Sequence, residues 1–273
     1  MLLKDFRIQV KDTPRINLYC IGDLHIGSPV FLQNSFDKLA DIVRRDKHAY
    51  FIQVGDVTED DRPTTRVLRR AMFNDREEAM VQEDLQHINW MDSFVVPKLL
   101  KVIKPTRCFG MLDGDHFRVY ANGLSSVQYV CSKTKIPYLG QGQALIRLHM
   151  LNGKRDDVLR IHTHHGKGGG VSEAGDLREL TAVQHQWRNV SVFLRGHSHK
   201  PKFVPFTWWR DTIDKVVTEE GYLINAGAFR GGMLMGKVDY AERAVYSPTS
   251  TCCPILHIDT HPIVLSASLT PAL

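Results

Sequence analysis

Apolar residues in this chain fall into short runs of strand length, separated by stretches of helical spacing. Residues 16–21, 50–54, 107–112 and 190–194 read as buried strands, each a near-continuous apolar run. Between the first two, Leu32, Phe36, Leu39, Ile42 and Val43 fall on one helical face. A long helical region is predicted over 75–104, with Met80, Leu85, Ile88, Phe94, Val95, Leu99 and Val102 as apolar positions. Pro97 should break or kink it, because proline has no N–H to donate. A helix follows near 124–131. Residues 144–151 and 157–163 read as a hairpin closed by Asn152-Gly153, a dipeptide suited to tight turns. A further helix is predicted over 176–187, and the remainder is strand-rich, with runs such as 254–258. Strands alternating with helices predict an α/β fold. Neither repeats nor low-complexity segments interrupt the pattern. It reads as one domain, 1–273, with a helical insertion around 59–104.

What sits at the ends of the strands changes the picture. In order come Gly22-Asp23-Leu24-His25, Gly55-Asp56, Gly114-Asp115-His116, His162-Thr163-His164-His165 and Gly196-His197-Ser198-His199. Asp and His bind divalent transition metals through carboxylate oxygen and imidazole nitrogen. In open α/β sheets, strand ends are where rigid backbone hands over to loops that carry chemistry. The spacing of Asp23 with His25, and of His197 with His199, lets both side chains of a pair point the same way on extended backbone. His162 and His164 repeat that spacing. Together the clusters hold more ligands than one four-coordinate ion needs, so two neighbouring ions are expected, an arrangement suited to phosphoryl chemistry.

Bulk properties narrow the class only a little. A hydrophobic fraction of 43% is enough for a full core without staples. No apolar run reaches the length of a membrane span, and the first residues lack a signal-peptide apolar region. The cysteines, Cys20, Cys108, Cys131, Cys252 and Cys253, are odd in number and irregular in spacing. That argues for a reducing compartment, and a cytoplasmic location is expected. A net charge of +5 gives a mild bias toward anionic partners.

The five clusters, in this order, resemble the signature of calcineurin-like metallophosphoesterases across about residues 16–225. The loop His165-Gly166-Lys167-Gly168-Gly169-Gly170 and the run Asn225-Ala226-Gly227-Ala228-Phe229-Arg230-Gly231-Gly232 are similar to phage and prophage members. The resemblance implies a four-layer α/β/β/α sandwich and a dinuclear centre that uses a metal-bound hydroxide. It implies that Asp23, His25 and His199 hold one metal, that Asp56 bridges, and that Asp115, His164 and His197 hold the other. In the fourth cluster His164 is the choice and His165 the runner-up, with His162 as buried structure or as a support behind the ligands. His116 is implied as the catalytic proton donor or phosphoryl stabiliser, and Asn225 as structural. The implied cofactors are two divalent ions (Mn, Fe or Zn, with Mn favoured). The implied partner is a phosphoester, with a phosphodiesterase or nuclease on nucleotides or nucleic acid ahead of a phosphomonoesterase or a non-catalytic metal scaffold. A homodimer is compatible with the sequence; a membrane partner is not expected. The stretches Gly55-Asp56-Val57-Thr58-Glu59-Asp60 and Asp113-Gly114-Asp115-His116-Phe117 depart from the protein-phosphatase pattern, which makes that subgroup a poor fit. Asp115 stands where the family usually has Asn. It adds a negative charge and removes an amide donor. The glycine loop 166–170 is expected beside the site, moving on substrate binding through Lys167.

Overall fold

The structure is a computed structural model that describes residues 1–60, 66, 77–167, 173–211, 214–231 and 251–273. The chain opens on β1 (Leu2–Gln9) and β2 (Arg15–Ile21), which enter different sheets. Then α1 (Gln33–Arg45) leads to β3 (Ala49–Gln53). After α2 (Glu77–Trp90), a π-helical turn, Met91–Val95, runs into α3 (Val96–Leu99), and a 3-10 turn, Pro105–Arg107, precedes β4 (Cys108–Met111). Next come α4 (Ser126–Thr134), the hairpin β5 (Gln143–Asn152) and β6 (Arg155–His164), α5 (Glu173–Gln186) and β7 (Val192–Arg195). The hairpins β8 (Lys202–Asp211) with β9 (Val216–Asn225), and β10 (Pro254–Thr260) with β11 (Ile263–Leu269), complete the described elements.

Two mixed sheets result, one ordered β11-β10-β2-β3-β4 and the other β1-β5-β6-β7-β9-β8. They face each other across a core in which Ile16, Leu18, Cys20 and Ile52 of one meet Ile146, Leu148, Ile161 and Leu194 of the other. The opposite face of the five-stranded sheet packs Tyr19, Ile21 and Phe51 against Phe36, Leu39 and Val43 of α1, Met91, Leu99, and Val127 and Val130 of α4. On the far side, Leu180 of α5 covers Phe193 and Leu223 of the six-stranded sheet. The layers are therefore helix, sheet, sheet, helix, and the fold is the α/β four-layer sandwich. Near-continuous apolar runs in β2, β3 and β7 follow from this, since each is covered on both faces.

Local chemistry explains several boundaries. α1 buries Phe36, Leu39 and Val43 and ends with Arg44 and Arg45, cations that suit the negative end of a helix. Ser125 caps α4, its Oγ accepting from Gln128 N at 2.9 Å. The β5–β6 strands pair out to Asn152 and Arg155, so the turn residues are Gly153 and Lys154, one position later than Asn152-Gly153 suggests. Pro97 does not break the helix. It lies in the first turn of α3, directly after the π-helical turn, where a missing N–H costs least. Met91, Val95, Leu99, Val102 and Ile103 are buried, so the second half of the 59–104 segment packs into the core. Residues 61–65 and 67–76 lie outside the described residues.

Candidate metal centre

β2, β3 and β4 run parallel, so their C-terminal ends lie together. The loops leaving them carry Asp23 and His25, then Asp56, then Asp115 and His116. β6 and β7 of the facing sheet, also parallel, bring His165, His197 and His199 to the same end. The side chains meet in groups. Asp23, His25 and His199 offer ligand atoms within 4.8 Å of one another, and so do Asp56, His165 and His197. A third such group is His25, Glu59 and His116. In the first group His25 Nε2 is 3.3 Å from His199 Nε2, and His199 Nε2 is 3.6 Å from Asp23 Oδ1. In the second, His165 Nε2 is 3.2 Å from Asp56 Oδ2 and 3.3 Å from His197 Nδ1. Asp56 Oδ2 is also 3.7 Å from His25 Nε2, so this one oxygen faces both groups. Asp115 Oδ2 stands 3.5 Å from His197 Nδ1 at the more open edge.

These separations suit a cation. Two nitrogens bound tetrahedrally at about 2.0–2.1 Å lie about 3.3–3.4 Å apart. The imidazole pairs of both groups are 3.3 Å apart, a distance at which two nitrogen lone pairs repel unless a proton or cation lies between them.

The backbone of the loops is strained toward this arrangement. Asp23, His25, Asp56, His197 and His199 all have positive φ, between 31° and 68°. Among the described residues only Lys135 and Asn189 are other non-glycine examples. Left-handed backbone costs a non-glycine residue roughly 1 kcal/mol or more, and it persists where surrounding contacts impose it, commonly at functional sites. The imposing contacts are visible. His197 N donates to both oxygens of Asp23, at 2.9 and 3.1 Å. Asp115 N and His116 N both donate to Asp56 Oδ1 at 2.7 Å. Each carboxylate is thus fixed by the backbone of a loop that carries other members of the cluster. A Cβ on Gly114 would fall 2.3 Å from Asp56 Oδ1, and one on Gly55 2.4 Å from His165 Nδ1. Only glycine admits this approach. Asn225 Nδ2 donates to Ser198 Oγ and to Lys200 O, bracing the loop of His197 and His199.

Charge states follow from burial. Burial pushes the Asp23 carboxyl up to about 7. Asp56 is just as buried, yet His165 and His25 hold it well below the carboxylate range. Burial, helped by neighbouring imidazoles, lowers His197 and His199, which keeps them neutral as a metal ligand must be. His165 goes the other way. Burial would lower it, but Asp56 and Asp23 outweigh that and raise it to about 10, so a cation held by His165 would have to displace its proton.

The fourth cluster departs from expectation. His164 was expected to face the other ligands; the ring that does so is His165. Leu159 and Ile161 face the inter-sheet core, so strand alternation sends His162 and His164 to the opposite, helix-facing side of β6. There they lie 5.6 Å apart, ring to ring, and His162 packs on Trp187 and Phe193. Burial lowers His162 to about 4 and His164 to about 3. His165 is the first residue past the strand. It turns back toward β3, where its Nδ1 bonds Val54 O at 2.8 Å.

Glu59 is the group that sequence reading missed. Its Oε2 is 2.8 Å from His25 Nδ1 and 3.3 Å from Arg230 Nη1, and its Oε1 is 3.4 Å from His116 Nδ1. The available signal was an acid three residues beyond Asp56, on the same loop. Arg66 also supports the His116 loop, with its guanidinium 3.8 Å over the Phe117 ring and Nη1 donating to Asp115 O and Phe117 O. Of the glycine loop, Gly166 and Lys167 are described and 168–170 are not. Lys167 N donates to Glu179 Oε1 at 3.0 Å, and Glu179 Oε2 pairs with the buried Arg195 at 2.7 Å. All five cysteines are buried, and none is in a disulfide. No described helix is long and apolar enough to cross a membrane.

No protein-family model matches the chain, and no curated protein does. Among solved structures, the chain is similar to an NAD nucleotidase of Haemophilus influenzae, with 11% identity and a TM-score of 0.39. The match covers 94% of this chain and 49% of that one, so the chain spans about half the length of that protein. A likeness this distant adds nothing to what the topology and the side chains establish themselves: an α/β sandwich with buried Asp/His groups, of a kind that can hold metal, at one end of its parallel strands.

Proposed function

We propose that the chain is a metal-dependent phosphoester hydrolase with a two-ion centre. Asp23, His25 and His199 would hold one ion, and His165 and His197, with Asp115 beside them, the other; Asp56 would be shared. The observation that carries this reading is the position of Asp56 Oδ2, 3.7 Å from His25 Nε2 and 3.2 Å from His165 Nε2, between two Asp/His groups. Two divalent cations, with manganese favoured, would supply an activated water and neutralise charge on the phosphoryl oxygens.

The chain's own residues do the rest. Glu59 takes up Nδ1 of His25 and lies beside Nδ1 of His116, which orients both rings. His116 is then suited to give a proton to a leaving oxygen. Burial would raise the Glu59 carboxyl, but His25, and after it Arg230 on the other side, outweigh that and hold it below its ordinary value. The partly exposed Asp115 carboxylate adds negative charge at the mouth. By Coulomb repulsion this disfavours a doubly charged monoester more than a singly charged diester. The favoured substrate is therefore a phosphodiester, of nucleotide or nucleic-acid type.

Metal analysis of the purified protein, followed by a panel of mono- and diesters with Mn²⁺ added back, tests the proposal. Two bound ions per chain and metal-dependent hydrolysis are expected, with diesters ahead. Stoichiometric metal without hydrolysis of any ester would point to a non-catalytic scaffold. A chain that binds no divalent ion would refute the reading outright.

A further inference from the structure

The two sheet edges formed by β1 and β4 leave a cleft of about 470 Å³ between them, lined by residues of β1, the turn after it, and the starts of β3 and β4. Tyr50 and Phe109 are each the second residue of a strand whose far end carries a candidate ligand loop. At about 3.3 Å per residue, the cleft therefore lies roughly 15–20 Å from the Asp/His groups, at the other pole of the sandwich. A cleft of this volume is in the range that holds a small organic ligand.

Its lining has two parts. One is aromatic: Phe109 stacks on Tyr50 with ring centroids 5.3 Å apart, and meets Phe6 edge-on at 5.0 Å. The other is cationic. Arg7, Arg107 and Lys135 line the cleft against one acid, Asp12. The Arg107 guanidinium lies 5.5 Å over the Tyr50 ring and donates to Lys47 O. Arg7 and Lys135 have no carboxylate partner among the described residues. Paired surface cations are common in this chain, as Arg15 with Asp259 and Arg147 with Asp5 illustrate. Unpaired cations gathered at the rim of an aromatic cleft are a different arrangement, with a low-dielectric floor and uncompensated positive charge above it. Such a place attracts an anion with a flat apolar body.

We propose that this cleft is a second binding site, separate from the metal centre, for a small planar aromatic anion of mononucleotide size. The ring would lie against the Phe6–Tyr50–Phe109 wall, and the phosphate or carboxylate would take the charges of Arg7, Arg107 and Lys135. The inference does not depend on the hydrolase reading.

AMP, adenosine and inorganic phosphate are the probes, titrated calorimetrically into the full chain with EDTA present, so that the metal centre contributes no metal-dependent binding. AMP should bind at one site, and more tightly than either fragment. Arg7→Glu with Lys135→Glu changes two exposed positions and should weaken AMP about tenfold or more. Phe6→Ala should weaken AMP and adenosine and leave phosphate unchanged. Asp56→Asn should leave AMP binding unaltered. An azido-AMP label should map to peptides of β1 or of residues 105–109. Phosphate binding as tightly as AMP would overturn the aromatic half of the proposal. No binding of AMP at millimolar concentration, or binding lost in Asp56→Asn but kept in the charge-reversed protein, would overturn the site.

Discussion

Replacing His165 and His164 one at a time tests which of the two would hold a metal. In His165→Ala the lost ring had Nε2 at 3.2 Å from Asp56 Oδ2 and 3.3 Å from His197 Nδ1, and Nδ1 bonded to Val54 O. One buried hydrogen bond and a small cavity together cost roughly 2–4 kcal/mol of stability. Loss of an outer partner of a ligand typically costs about 10–100-fold in metal affinity, so loss of a ligand itself should exceed about 100-fold. One of two ions should then be missing after dialysis. His164→Leu should do the opposite. His164 is buried and its Nε2 has no hydrogen-bond partner among the described residues. Leaving such an atom unpartnered costs roughly 1–3 kcal/mol, which an apolar side chain of similar size removes. Both ions should stay bound, and the protein should melt a few degrees higher, since about 1 kcal/mol corresponds to about 2–4 °C in a domain of this size. Metal content by mass spectrometry and melting by calorimetry read out both variants. If His164→Leu loses an ion while His165→Ala keeps two, the geometric assignment is wrong.

Other consequences can be checked in parallel. Gly114→Ala puts a methyl 2.3 Å from Asp56 Oδ1 at φ +82° and should cost at least about 2 kcal/mol and release metal; a normally melting, fully loaded variant would contradict this. Glu59→Gln should keep both ions but lower kcat about 10–100-fold, with little further loss when His116→Asn is added, because the two act as a unit; additive losses in the double variant would separate them. His162 has a folded value of about 4 against an unfolded value near 6.5, so its neutral form contributes stability that is complete above about pH 6.5 and lost as pH falls toward 4. From this residue the wild type should lose roughly 2 kcal/mol between about pH 7.5 and pH 5. His162→Phe should flatten that part of the stability curve, and an unchanged slope would exclude the residue as its source. Asp115→Asn should raise the monoester-to-diester ratio of kcat/KM on matched nitrophenyl substrates at saturating metal; an unchanged ratio would remove Asp115 from substrate selection.

Much of this molecule is legible from local pattern. An apolar run followed by Gly-Asp or Gly-His encodes a buried strand and the turn that ends it, and both depend on neighbours only a few residues away. That is why β2, β3, β4 and β7, and the loops of Asp23, Asp56, Asp115 and His197, can be located from sequence. Helix α1 is equally plain, because its buried face recurs at helical spacing. Tertiary structure decided the rest. β1 is a half-exposed edge strand whose partner, β5, begins more than a hundred residues later, so no local run announces it. His162 and His164 do share a face, as their spacing requires, but only the packing of Leu159 and Ile161 against the other sheet determines that this face looks away from the cluster. Glu59 acquires a role only where three loops bring His25, His116 and Arg230 around it. Alternation and turn chemistry are properties of a segment; which face is inward, and which charges meet, are properties of the assembled sheets.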